Sequence, residues 1–266
     1  MTANDLSLRV SIATLVRVLF ENPRNGDLML ALERKATLHE TENGPDIEVK
    51  CQPFGGAIKI YDPGMMRDLI GDFQFDSERS RSEQDFRIFI RPSAWETVQK
   101  FCIEHFSYVD DPIFETDPGR ELAEEFADAL KIDLKPEQYV HKPVATVVEN
   151  DPLRTENIHA KGILTARVYG IFEARIVDSS LTHILMTNSE SLSHQDLCEL
   201  ALKDAQHGGK GRANAILALP LKHITDHYLA MPPKERNAPI LFEKNRLNET
   251  VLAVLEDITV PKYQRR

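Results

Sequence analysis

The sequence predicts an α+β fold, and three observations point there. β-Branched and aliphatic runs open the chain. An amphipathic acidic helix sits near its middle. A second group of strands follows, and helical periodicity then returns at the end. Of 266 residues, 42% are hydrophobic and 28% charged, a composition that supports a globular protein with a substantial core.

Taken in order, "LRVSIATLVRVLF" (8–20) reads as a strand, "ENPRNGD" as a turn and "LMLALER" (28–34) as a second strand, forming a hairpin. "KATLHETENGPD" is polar and turn-rich. "IEVKCQPFGGAIKI" (47–60) reads as a strand interrupted by Gly55 and Gly56, a pair that marks a bulge or a close backbone approach. The charged run 76–85 reads as an exposed loop. In "PSAWETVQKFCIEHF" (92–106), Trp95, Val98, Phe101, Cys102 and Phe106 recur at helical spacing and Ser93 is placed to cap. After the acidic helix, 144–151, 162–177 and 180–188 read as strands, 193–206 as a helix and 213–221 as a strand. "LKHITDHYLAM" and 248–258 read as closing helices.

Several classes are set aside by composition. No apolar run is long enough for a bilayer span, and "MTANDLSLRV" lacks the layout of a secretory signal. Cys51, Cys102 and Cys198 lie far apart without CxxC spacing, which speaks against a disulfide framework or structural zinc and fits a cytoplasmic protein. A net charge of −10 argues against a nucleic-acid binder. An anionic ligand would need local neutralisation, which a divalent cation supplies.

The stretch "DPGRELAEEFADAL" (117–130) carries the chemistry. Asp117 suits an N-cap and Pro118 the first helical position. At about 100° per residue, Glu124 and Glu125 fall within roughly 60° of Glu121, so three carboxylates share one side. Leu122, Phe126 and Ala129 form an apolar stripe on another. Arg120, four residues before Glu124, can pair with it. Clustered hard oxygens on one rigid element suit Mg²⁺ or Mn²⁺. The same spacing also describes an ordinary solvated acidic face.

"RELAEEF" (120–126) resembles the core of the Nudix box, GX5EX7REUXEEXGU. "QPFGGAI" (52–58) is similar to the strand end that precedes that box. The strands at 8–34 and "ILALPLKHI" resemble those that flank it. The resemblance implies an α/β/α sandwich with a Nudix-like mixed sheet, one domain over 1–266. It departs from the pattern in three places. Gly56 lies 120 − 56 = 64 positions before Arg120, where the pattern has about 14, so an insertion at about 61–114 is implied. It would shape the pocket, form a lid or make a homodimer contact. The first box glutamate falls on Pro112, with Asp110, Asp111 and Glu115 nearby but out of register. The closing glycine is absent, so the helix must stop otherwise, near "KIDLKP" and Pro136.

By position, the resemblance makes Glu121, Glu124 and Glu125 ligands of Mg²⁺ or Mn²⁺, with the Gly56 carbonyl as a further donor. Glu124 and Glu125 serve catalysis through the metal, and Arg120 orients a box glutamate. The implied activity is hydrolysis of a nucleoside diphosphate-linked compound, by water activated on the cation. The alternative is a nucleotide-sensing module without efficient turnover, which the departures would suit. A third reading is an interaction protein whose acidic helix is merely solvated.

Other candidates are weaker. "HGGKGR" (207–212) lacks the P-loop pattern, but Lys210 and Arg212 are candidates for substrate phosphate. His223 and His227 are spaced i, i+4 without the HExxH glutamate. Glu190 is a candidate base at what reads as a strand end.

Overall fold

The structure, a computed structural model, describes residues 6–41, 44–106, 108, 110–148, 152–155, 160–230, 240–242, 245–248 and 250–255. The expected elements at 149–151, 231 and 256–258 lie outside these residues.

The chain forms one mixed sheet with helices on both faces, an α+β arrangement as expected. β1 (Leu8–Glu21) is its axis. Val10, Ile12, Val16 and Val18 make it stiff and extended. It is buried on both sides. Val16, Val18 and Phe20 point into one apolar cluster, Leu15 and Leu19 into others. β2 (Leu28–Thr41) returns antiparallel, with Val18 opposite Ala31 and Glu21 opposite Leu28.

The sheet forks beyond that hairpin. β2 leaves β1 after Ala31, and its freed edge takes β3 (Gly44–Gln52) from Glu33 onward. The supposed turn region around 35–46 is therefore largely strand. β3 ends at Gln52, so the expected strand over 47–60 stops early. The segment 53–57 instead wedges into the fork: the Val16 and Thr14 amides donate to the Phe54 and Gly56 carbonyls at 2.7 and 3.0 Å.

The stretch 61–114 contributes α1 (Pro63–Ile70), β4 (Gln74–Phe75), α2 (Glu78–Glu83), β5 (Arg87–Ile90) and α3 (Trp95–His105). β5 pairs with the start of β1, Leu8 to Ser11, so this stretch extends the sheet, and its Met66, Phe86 and Phe101 share one apolar cluster with Val10, Ile12 and Val168. The run 76–85 is not a mere exposed loop. Ser77 caps α2 by accepting from the Ser80 amide, and Asp85 beyond it is buried. In α3 the expected stripe of Val98, Phe101 and Cys102 is buried, but the helix begins after a 3₁₀ turn and Ser93 caps nothing.

α4 (Gly119–Leu130) crosses the fork on one face. After it come β6 (Tyr139–Val148), β7 (Leu153–Arg154) and β8 (Leu164–Ile176). β8 runs parallel to β1 from Arg9 opposite Thr165 to Leu19 opposite Arg175. Residues 180–188 are not a strand: they belong to α5 (Ser179–Ser191), started by Asp178 accepting from the Leu181 amide. Leu181 and Leu185 are buried one turn apart while Ile184 is exposed, a helical pattern. α6 (His194–Gln206) opens with a capping box of Ser193 and Asp196. β9 (Arg212–Pro220) covers the other edge of β2. α7 (Leu221–Ala230), β10 (Ile240–Phe242), β11 (Asn245–Leu247) and α8 (Thr250–Leu255) follow; α7 and α8 pack on the face opposite α4. Among the described residues no helix is long and apolar enough to cross a membrane.

Candidate functional site

The acidic helix is positioned by its apolar stripe. Leu122, Phe126 and Ala129 are buried as the spacing predicts. Phe126 packs on Phe54 at 5.0 Å between ring centroids, and Phe54 immediately precedes the glycine pair. One aromatic contact thus fixes the helix against the wedge in the fork.

Both glycines are required there. Gly55 has φ +130°, and a Cβ on it would lie 2.1 Å from the Thr14 carbonyl oxygen. Its amide donates to Glu125 Oε2 at 2.5 Å. On Gly56 a Cβ would lie 2.1 Å from Glu121 Oε2. The pair therefore lets two helix carboxylates approach the backbone. The Gly56 carbonyl already accepts from the Thr14 amide, which leaves one lone pair.

The helix begins one residue later than expected. Pro118 is the N-cap, and Asp117 Oδ1 accepts from the Gly119 amide. It stops at Lys131 rather than near Pro136. Lys131 takes the left-handed conformation, φ 59°, that a glycine would usually fill, and its amide reaches the Ala127 carbonyl.

Arg120 is the hub. Its Nε and Nη2 donate to Glu115 Oε1 and Oε2 at 2.7 and 2.6 Å, a two-pronged pair. Nη2 also lies 2.5 Å from Glu121 Oε1, and Nη1 donates to Glu124 Oε1 at 3.1 Å. Burial alone would lower the Arg120 pKa, but the hydrogen bond to Glu115 and the charges of Glu121 and Glu115 hold it above the usual value. Glu115, out of register in the sequence, is brought to the arginine because residues 114–115 run beside 59–60. Phe114 bridges Ile60, and the Glu115 amide donates to the Lys59 carbonyl.

The three helix glutamates do not share one point. Glu121 is buried against Gly56 and turns to Arg120. Glu124 is exposed on the i, i+4 bridge. Glu125 turns inward to Gly55. Burial pushes the Glu121 carboxyl up, only partly opposed by Arg120. Burial, then the charge of Glu33, pushes Glu125 well above the ordinary carboxylate range. Glu33 sits where the fork opens and is 1% exposed. Its Oε2 accepts from Lys35 Nζ and Gln52 Nε2 at 3.0 and 2.9 Å, while Oε1 is buried with no partner among the described residues.

These groups line a cavity of about 540 Å³. Its far wall comes from 61–114: Arg79, Glu83, Asp85 and Arg87, with burial raising the Asp85 pKa. Seven carboxylates (Glu33, Glu83, Asp85, Glu121, Glu124, Glu125, Asp128) face five cations (Lys35, Lys59, Arg79, Arg87, Arg120). Among the described residues no three acidic, His or Cys side chains already converge as a cation cage. The donor chemistry nevertheless fits a hard divalent cation: carboxylates outnumber bases, Glu33, Asp85, Glu121 and Glu125 among them are largely buried, and one buried oxygen of Glu33 has no partner among the described residues.

Glu33 and Asp85 were not legible as site residues. Glu33 carried one signal, an acid in step with the buried Met29 and Ala31 along a strand. Lys210 and Arg212 line a different cavity of about 500 Å³ that shares Lys35 and Asp128 with the first. Glu190 lies in α5, in a two-pronged exposed pair with Arg24, and is not part of either cavity wall. His227 packs edge-on to Phe242. The cysteines are all free, Cys51 and Cys102 buried.

A family model described as SMODS-associated NUDIX domain matches residues 7–207, a span that holds every residue of the first cavity. No curated protein and no solved structure matches the chain.

Proposed function

The chain belongs to the SMODS-associated NUDIX domain family, and from that premise we propose that it is a divalent-metal-dependent pyrophosphohydrolase acting on nucleoside diphosphate derivatives. One observation carries this reading. The family helix, the glycine pair and Glu33 line a cavity in which carboxylates outnumber cations, Glu33, Glu121 and Glu125 are largely buried, and one buried oxygen of Glu33 has no partner among the described residues.

Mg²⁺ or Mn²⁺ would be held by Glu121, Glu124 and Glu125, with the free lone pair of the Gly56 carbonyl as a further donor. When bound, it would neutralise the diphosphate and make a water nucleophilic near neutral pH. The chain's own groups do the rest. Arg120, anchored on Glu115, pairs with both Glu121 and Glu124 and so orients the two carboxylates. The Gly55 amide holds Glu125 in place beside the glycine pair, where it can serve catalysis through the cation. Arg79 and Arg87 line the wall opposite and, with Lys59, suit phosphate oxygens. The stretch 61–114 acts as an insertion within a single domain and supplies that wall.

The convergence of Arg120 on Glu115, Glu121 and Glu124 favours one second reading, a nucleotide sensor in which the arginine holds the place of the cation. Turnover of a panel of nucleoside diphosphate derivatives with Mg²⁺ or Mn²⁺ separates the two. The hydrolase reading expects metal-dependent release, reduced at least a hundredfold in Glu124→Gln and Glu125→Gln. Tight binding with no turnover at any metal concentration selects the sensor. Equal turnover in all three proteins overturns the assigned roles.

A further inference from the structure

The cavity beside the diphosphate site has the opposite charge balance. Four cations, Lys35, Lys131, Lys210 and Arg212, face two carboxylates, Asp128 and Asp204. Asp204 is already committed to the backbone. Its Oδ2 accepts from the Arg212 amide at 3.1 Å, and its carboxyl fills the space where a Cβ on Gly209 would stand, 2.2 Å away. Its own carbonyl accepts from the Gly209 amide. The turn that carries Lys210 is thereby pinned on both sides.

Three further features point to a ligand. Among the described residues neither the Lys210 ammonium nor the Arg212 guanidinium has a carboxylate partner. Asn214, opposite Lys35 across β9 and β2, has its Oδ1 buried and unpartnered while its residue lines the cavity. Lys35 and Asp128 belong to both cavities, so the two are contiguous.

We propose that this second cavity is a phosphate subsite of the same ligand, so that the preferred ligand is a nucleoside diphosphate derivative carrying a further phosphate apart from its diphosphate. The inference rests on reading the first cavity as the diphosphate site. Lys210 and Arg212 hold the added phosphate by charge-assisted hydrogen bonds, and Asn214 lines the same cavity. The acidic first cavity would repel a free phosphate unless a cation were present. The basic second one attracts it, which sets the direction in which the ligand lies.

The test uses matched ligands on the full chain. Nicotinamide adenine dinucleotide and its 2′-phosphate differ by one phosphomonoester. ADP and a 5′-diphosphorylated dinucleotide differ by a phosphodiester and a nucleoside. Kd is measured by calorimetry with Mg²⁺, and turnover in parallel. The expected result is at least about tenfold tighter binding of the more phosphorylated member of one pair. Which pair shows it identifies the source of the phosphate. The ratio falls toward one in the Lys210→Gln/Arg212→Gln double variant and persists in the surface control Lys161→Gln. Equal Kd within both pairs overturns the subsite even if every ligand is hydrolysed. A ratio that survives in the double variant also overturns it. A preference in binding with no hydrolysis of any ligand supports the subsite and rejects the hydrolase reading instead.

Discussion

Replacing Arg120 with alanine should destabilise the protein by about 3 kcal/mol. Glu115 has a side chain only 5% exposed and receives two short hydrogen bonds from the guanidinium. Without Arg120 the hydrogen bond left to it among the described residues is that from the Lys59 amide at 3.3 Å. Stripping one partner from a buried ion pair costs about 3–5 kcal/mol. Arg120 is itself 25% exposed, which places the cost at the low end. Glu121 and Glu124 lose their cation in the same step. At about 2–4 °C per kcal/mol for a chain of this size, Tm falls by roughly 6–12 °C. Glu115→Gln keeps the shape and loses the charge, at about 1–3 kcal/mol. Arg120→Lys restores a charge without the fork and recovers only part of the loss. Urea unfolding followed by circular dichroism measures all three, and the double variant closes the cycle. A loss under about 1 kcal/mol for Arg120→Ala, or full additivity with Glu115→Gln, would refute the view that Glu115 anchors the arginine.

Other outcomes follow from the same geometry. Glu125 is held above its ordinary 4.5 in the folded chain, so its favourable contribution is complete below that value and is lost as pH rises through the raised one. Glu125→Gln should therefore be more stable than wild type near pH 8 without divalent cations, and the gap should close near pH 4; a gap independent of pH contradicts this. Gly55→Ala places a Cβ against backbone at positive φ, whereas Gly56→Ala places it against a movable Glu121 side chain. Thermal scans should rank Gly55→Ala as the more damaging, by about 2 kcal/mol or more, and the reverse order would show that the wedge is held differently. Burial pushes the Cys51 thiol up to about 12 and the Cys102 thiol higher still, and both are enclosed, while Cys198 is partly exposed. Mass spectrometry after brief alkylation near pH 8 should find Cys198 modified first.

The sequence carried the parts whose signals are local. β1 was legible from its β-branched run, and α4 from its stripe of Leu122, Phe126 and Ala129. The two glycines were legible as a close approach because only that residue type tolerates one. Long-range geometry was not. Glu115 lies five residues before Arg120, and only the bridge between Phe114 and Ile60 brings it onto the guanidinium. Glu33 became a site residue because β2 forks there, a property of strand pairing rather than of β2 itself. Residues 180–188 misread as a strand because Leu181, Ile184, Leu185 and Met186 are apolar enough for either element; the Asp178 cap decided for helix. The run 76–85 looked solvated because its charges are many, yet Asp85 is buried beside Arg87.

Hydrolysis carried out in ¹⁸O-labelled water, with the products read by mass spectrometry, addresses the chemistry itself. Wild-type protein with Mn²⁺ should place one labelled oxygen on a single phosphate product of a nucleoside diphosphate derivative, and Glu124→Gln and Glu125→Gln should leave that product near background. Label in neither product, or the same labelled yield from all three proteins, would contradict water attack governed by the acidic helix.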